Sequence, residues 1–78
     1  MNNNKPVHTI KFGLIEAAIW ENTLEDGKKS IYNVTVGRLY KPEGSDTWKS
    51  TSSLRRSDLP LAVKALDAAH TYLYQELA

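Results

Sequence analysis

The first two thirds of the chain alternate between polar and apolar residues with the period of β-strands. In segment 7–12, Ile10 and Phe12 fall on one side of the chain and polar residues fall on the other, which is strand periodicity. Segment 30–40 alternates in the same way and is rich in β-branched and aromatic residues. Segment 47–54 is more polar, which is typical of a strand at the edge of a sheet. These segments predict three strands.

The apolar residues of segment 14–22 fit both the helical period and the strand period. Its apolar residues can form one face of a short helix, but as a strand it would place Ile15, Ala17 and Ile19 on a common face. We predict a strand, because a helix of two turns is marginal by itself. Gly13 lies between this segment and the preceding strand, and a glycine there predicts a bulge or a bend.

Two polar segments that contain glycine separate the later strands. Segment 23–28 contains Asp26 followed by Gly27, and an Asp-Gly pair favours a hairpin because glycine adopts positive φ without a steric penalty. Segment 41–46 reads Lys-Pro-Glu-Gly-Ser-Asp and predicts a second turn. Gly37 interrupts the third strand, where it predicts another bulge or bend.

The C-terminal part of the chain has the periodicity of an amphipathic helix. Ser57 or Asp58 is a suitable N-cap, and Pro60 falls in the first turn, where its missing N–H does no harm. We predict a helix of about 19 residues, or about 30 Å. Apolar residues recur every three or four positions along it, and His70 falls on the same stripe, which consists of Leu59, Ala62, Val63, Leu66, Ala69, His70, Leu73 and Leu77.

That stripe is long for one small sheet to cover. The surplus apolar surface near Tyr72, Leu73 and Leu77 is where we expect a partner chain. A chain of 8.8 kDa buries only about 63% of its unfolded surface, which is a narrow margin for stability. The chain has no cysteine, so disulfides and thiolate metal sites are excluded and self-association is the simplest remaining stabiliser.

These elements predict an α+β fold, in which a four-stranded curled antiparallel sheet is followed by one C-terminal amphipathic helix (ββββα). Residues 1–6 are predicted to be a disordered N-terminal lead-in, and residues 7–78 a single domain. The sequence contains no apolar run long enough to span a membrane and no apolar segment behind its N-terminus that would indicate a signal peptide. We therefore expect a cytoplasmic protein.

Charge is distributed unevenly along the chain. The net charge is +1, but residues 1–57 carry +3 and residues 58–78 carry −2. An imbalance of this size is compatible with an anionic partner, and equally with ordinary solvated charges.

The sequence offers little for catalysis. It has no cysteine, no glycine-rich phosphate loop and only two histidines, His8 and His70. His70 falls on the apolar stripe, where a core or interface histidine is the simpler interpretation. We therefore predict that the protein is not an enzyme, and that it has no cofactor and no metal.

Aromatic and basic residues alternate through the predicted strands. Single-stranded nucleic acid binds where aromatic rings stack on bases and cations contact phosphates. Trp20 could also be a core aromatic, and Arg55 with Arg56 could also be a solvated pair. Trp48 has polar neighbours in the sequence and is therefore the preferred stacking residue. The candidate nucleic-acid-binding residues are Arg38, Tyr40, Trp48, Lys49, Arg55 and Arg56, followed by Trp20 and Lys11.

The stretch Val34-Thr35-Val36-Gly37-Arg38-Leu39-Tyr40-Lys41-Pro42-Glu43-Gly44, followed by Trp48-Lys49-Ser50 and the helix entry Ser57-Asp58-Leu59, resembles part of the single-stranded-DNA-binding transcriptional coactivators. These share their fold with the plant Whirly proteins. The whole chain also resembles small uncharacterised bacterial proteins, in a pattern that comprises Phe12-Gly13-Leu14-Ile15, Ala18-Ile19-Trp20, Tyr32-Asn33-Val34, Arg38-Leu39-Tyr40, Trp48 and Leu59-Pro60. The chain departs from the coactivators in lacking a dense lysine cluster.

The resemblance implies that two chains pair through their helices and that the curved sheets form channels for nucleic acid. The dimer interface would then include Leu66, His70, Leu73 and Leu77. The function expected on this basis is non-enzymatic binding of single-stranded DNA or RNA with little sequence preference. The alternative is a protein-interaction or regulatory module that keeps the fold without binding nucleic acid.

Overall fold

The fold is described from a computed structural model of the chain. The structure describes residues 5–24, 27 and 29–76. Most of the predicted N-terminal lead-in, and Leu77 of the predicted interface, lie outside these residues.

Within the described residues, four strands form one open antiparallel sheet, and their order in space is their order along the chain. They are β1 (His8–Phe12), β2 (Ile15–Thr23), β3 (Ser30–Tyr40) and β4 (Lys49–Thr51). The sheet is followed by a short 3₁₀ turn and one α-helix, so the predicted ββββα architecture is confirmed. The strand interpretation of segment 14–22 is also confirmed, whereas the fourth strand is shorter than its predicted segment.

The two glycines predicted to bend the sheet have different roles. Gly13 has a φ of 61° and forms with Leu14 a two-residue turn that joins β1 to β2, with Phe12 paired to Ile15. The prediction at Gly37 is wrong, because β3 continues through it in regular register opposite Glu16. A Cβ atom at Gly37 would lie 2.6 Å from Ser50 Oγ, so glycine here permits close approach of β4.

The helix α1 (Leu59–Gln75) follows a 3₁₀ turn at Arg56–Asp58. It covers one face of the sheet, mainly over β2 and β1 and less over β3. Side chains on alternate positions of β2, namely Ile15, Ala17 and Ile19, are fully buried beneath it. The core is therefore one layer thick, between this face of the sheet and the helix.

The helix buries its alanines and exposes its larger apolar residues. Ala62, Ala65 and Ala69 are buried against the sheet, because small side chains let the helix lie close to the strands. The predicted apolar stripe straddles two faces of the helix: its alanines belong to the buried face, while Leu59, Val63, Leu66 and His70 are exposed.

The surplus apolar surface therefore follows most of the helix and is not confined to its C-terminal end. Tyr72 belongs to the buried side, where its ring stacks on His8 at 4.1 Å. This corrects the expectation that Tyr72 marks the surface free for a partner.

Candidate nucleic-acid interface

The sheet face opposite the helix, which we call the outer face, is uncovered by any described element. Strand alternation places on it Thr9 and Lys11 of β1, together with every second residue of the following strands. The outer-face residues of β2, β3 and β4 are Glu16, Ala18, Trp20, Asn22, Ile31, Asn33, Thr35, Gly37, Leu39 and Ser50.

Both tryptophans lie on the outer-face side of the sheet. The indole N–H of Trp20 donates a hydrogen bond to Thr35 Oγ1 at 2.9 Å, across the β2–β3 pair. Trp20 is therefore not a core aromatic, and its polar atom is satisfied while its ring remains half-buried. Trp48 precedes β4 and is 55% exposed, which agrees with its polar neighbours in the sequence.

A pocket of about 480 Å³ opens beside Trp48 at the Gly13 end of the sheet. The backbone N–H of Leu39 donates to the carbonyl oxygen of Leu14 at 2.8 Å, which places these two apolar residues side by side in the pocket lining. Lys11 and Glu16 also line it, and the Lys11 ammonium lies 3.6 Å from Glu16 Oε2. The pocket thus combines an indole, an aliphatic surface and an ion pair.

Arg38 forms an ion pair with Asp58 on the helix side of the sheet. Its Nε lies 3.2 Å from Asp58 Oδ2, and both side chains are largely buried, with 16% and 13% exposed. The Nε is buried and makes no hydrogen bond within the described residues, so this contact is an ion pair without an aligned hydrogen bond. The same Oδ2 accepts the backbone N–H of Arg55 at 2.7 Å.

This arrangement predicts that Asp58→Ala lowers the free energy of unfolding by about 2–3 kcal/mol, because it leaves the Arg38 charge partly buried without its partner. Asp58→Asn keeps an acceptor for Arg55 N–H and is expected to cost less. Urea unfolding followed by circular dichroism measures both. Asp67→Ala, at an exposed position on α1, is the control, and an equal loss in it would contradict this role.

The candidate binding residues divide between the two sides of the sheet. Lys11, Trp20 and Trp48 are on the outer-face side, whereas Arg38 and Tyr40 alternate with Val36 on the helix side. Lys49 pairs with Tyr40 and shares its face. Arg55 and Arg56 are exposed at the entry to the 3₁₀ turn, beside the Arg38–Asp58 pair. The structure therefore does not gather the predicted cations on one face.

The predicted interface residues of α1 differ in exposure. Leu66 is 43% exposed, and His70 is also exposed. The His70 ring packs edge-to-face on Tyr74 at 4.6 Å, while Leu73 is half-buried. Leu59, Val63, Leu66, His70 and Tyr74 together form an exposed strip, which we call the helix strip.

The phenol of Tyr32, in β3, has a pKa that is raised from its ordinary value. Desolvation within the fold raises the pKa of the Tyr32 phenol, and the negative charge of Glu21 raises it further. The phenol also donates a hydrogen bond to Glu21 Oε2 at 3.3 Å. Tyr32 is on the helix side of the sheet, so this pair supports the fold and not the outer face.

Leu14, Glu16 and Leu39 of the pocket were not predicted from the sequence. The position of Leu39 on the outer face could have been predicted from the alternation along β3. Leu39 lies an even number of residues from Asn33 and Thr35, which face outwards, and an odd number from the core residues of the strand. The position of Leu14 depends on the two-residue turn at Gly13, which sequence periodicity does not determine.

Comparisons with models of protein families, with curated proteins and with solved structures found no match to this chain. Among the residues that the structure describes, no helix has the length and apolar character needed to cross a membrane. The same residues contain no cluster of three or more histidine and carboxylate side chains suited to a metal ion.

Proposed function

We propose that the outer face is a stacking surface for single-stranded nucleic acid. The observation that carries this proposal is the presence of Trp20 and Trp48 on the uncovered side of the sheet, with a pocket beside Trp48. Stacking on aromatic rings is tolerant of sequence because every base has a π-face. The resemblance to coactivator domains supports the same interpretation.

The charge of the outer face makes the binding weakly dependent on salt. Lys11 and Glu16 are the charged residues that the described strands contribute to it, and their charges offset each other. A contact with one or two phosphates gives a slope of about −1 in log K against log salt for a single strand, because each phosphate contributes about −0.7. A channel lined by six cations would give about −4.

Trp48→Ala is expected to weaken binding of an eight-residue thymidine oligonucleotide by about tenfold, within the range of about 1–3 kcal/mol for one stacked base. Fluorescence anisotropy of the labelled oligonucleotide at several salt concentrations measures both this loss and the slope. Tyr40→Ala is the matched aromatic control, because Tyr40 lies on the helix side. Equal losses in the two variants would contradict the assignment to the outer face.

The structure also contains features that favour the alternative, a protein-interaction module. The cations that were expected together are divided between two sides of the sheet, and large apolar residues are exposed on the helix strip. Charge spread of this kind disfavours a strong phosphate site, and exposed apolar patches mark protein contacts. Absence of oligonucleotide binding at low salt would favour this alternative.

We infer that the helix strip pairs with a second copy of the chain. Its large apolar side chains are 43–68% exposed in the single chain, at Leu59, Val63, Leu66 and Tyr74. An exposed apolar strip of this kind marks a protein contact. A twofold axis along the helix strip would cover these side chains in both copies and leave the outer faces free.

A further inference from the structure

The pocket on the outer face has hydrogen-bonding chemistry that stacking alone does not require. Trp48 provides an exposed ring, and Leu14 and Leu39 provide aliphatic surface. Lys11 and Glu16 lie side by side at 3.6 Å and belong to the same lining. An ammonium group only donates hydrogen bonds and a carboxylate only accepts them. The pair is therefore suited to a ligand that presents a hydrogen-bond acceptor to Lys11 and adjacent hydrogen-bond donors to Glu16.

We propose, on the basis of the nucleic-acid-binding function above, that this pocket prefers guanine among the bases of a single strand. In single strands, proteins read the Watson–Crick edge of a base that is stacked on an aromatic ring. Guanine presents the O6 acceptor beside two donors, N1–H and N2–H. Lys11 donates to O6, and the two oxygens of Glu16 accept from N1–H and N2–H.

The other bases match this pair less completely. Adenine, cytosine and thymine each present a single donor group on the Watson–Crick edge, so one oxygen of the Glu16 carboxylate finds no second N–H on that edge of the base. The paired contact to guanine is charge-assisted, which makes it stronger than a bond between neutral groups. The pocket volume of about 480 Å³ is within the range of about 300–1,000 Å³ that is usual for small ligands.

The preference is expected to be modest because the pair is accessible to water, with the Lys11 side chain 59% and the Glu16 side chain 30% exposed. A well-formed bidentate contact discriminates between bases by about fivefold at the low end of its range. Glu16 has a second consequence for binding: as an anion on the outer face it opposes phosphates. Glu16→Gln is therefore expected to remove the guanine preference while leaving thymidine binding equal or tighter.

The test uses the full chain and four labelled eight-residue thymidine oligonucleotides, of which three carry one central guanine, hypoxanthine or adenine. Anisotropy titrations at low salt are expected to show about fivefold tighter binding of the guanine oligonucleotide than of the all-thymidine one. Hypoxanthine, which lacks the N2 amino group, is expected to lose most of that gain. Asp67→Asn, which makes the same chemical change on the exposed helix surface, should keep the preference.

The outcomes separate the two proposals. Equal affinity for all four oligonucleotides would overturn the guanine preference and leave the stacking surface standing. A guanine preference that persists in Glu16→Gln would also overturn it. Failure of every oligonucleotide to bind would overturn the proposed function and the preference together.

Discussion

Leu66→Glu is expected to convert the proposed dimer into monomers. Leu66 is at the centre of the helix strip and is 43% exposed in the single chain. In a twofold interface each substitution occurs twice, and each would bury a carboxylate without a partner, at a cost of several kcal/mol. We expect dissociation to become easier by a factor of about 100 or more, which corresponds to about 2.8 kcal/mol.

Sedimentation equilibrium over a range of concentrations measures this change. The wild type is expected to sediment at twice the 8.8 kDa chain mass, and Leu66→Glu at the mass of one chain. Thr71→Glu is the matched control, since it introduces the same residue at an exposed position on the polar side of the helix. A wild type that stays monomeric at every concentration would contradict the proposed pairing.

Ile15→Ala is expected to lower the free energy of unfolding by about 2–5 kcal/mol, because it leaves a cavity in the densest part of the core. Ile15 and Ile19 are the largest side chains that are completely buried among the described residues. The rest of the buried core consists mainly of alanines, which contribute little apolar area each. In so small a domain, a loss at the upper end of this range is enough to unfold much of the protein.

Ile31→Ala provides the matched control for this core substitution. Ile31 is also in a strand but is 50% exposed on the outer face, so its truncation is expected to cost less than about 1 kcal/mol. Urea unfolding of both variants at one fixed protein concentration keeps the contribution of dimerisation to the apparent stability the same in the two measurements. Equal losses in the two variants would contradict the assignment of the core to the helix side of the sheet.

Strand and helix positions were predictable because each rests on a local signal. Alternation in segment 30–40 identified β3 to the residue, and Gly13 marked the bend between β1 and β2. Pro60 and the polar residues before it located the start of the helix. These features depend on neighbouring residues in the chain, which a sequence displays directly.

The rotation of the helix could not be predicted in the same way. Apolar residues occupy more than half of its circumference, and at about 100° per residue both Ala65 and Leu66 could face the sheet. The strands accept the alanines, because their own isoleucines already fill the gap between the layers. Leucine is more hydrophobic than alanine, so hydropathy alone predicts that the leucine face of the helix is buried. The exposed helix strip becomes evident only when the packing of the helix on the sheet is known.

The distribution of the candidate binding residues over the two sides of the sheet could be predicted in part from the sequence. In β3, Arg38 and Tyr40 lie an even number of residues from the core residues Val34 and Val36. Strand alternation alone would therefore have placed them on the helix side. The ion pair between Arg38 and Asp58 joins a strand to a turn 20 residues later in the chain, and no local pattern indicates it. The same applies to the pocket, whose residues come from three separate segments.

Tryptophan fluorescence of the Trp20→Phe variant tests the central claim most directly, because Trp48 is then the sole reporter. Titration with a short single-stranded oligonucleotide at low salt is expected to quench this emission as a base stacks on the indole. Moderate salt should weaken the effect only slightly. Unchanged Trp48 emission while the same oligonucleotide binds by anisotropy would contradict the stacking surface beside the pocket. Absence of binding by the wild type as well as by this variant would contradict nucleic-acid binding altogether.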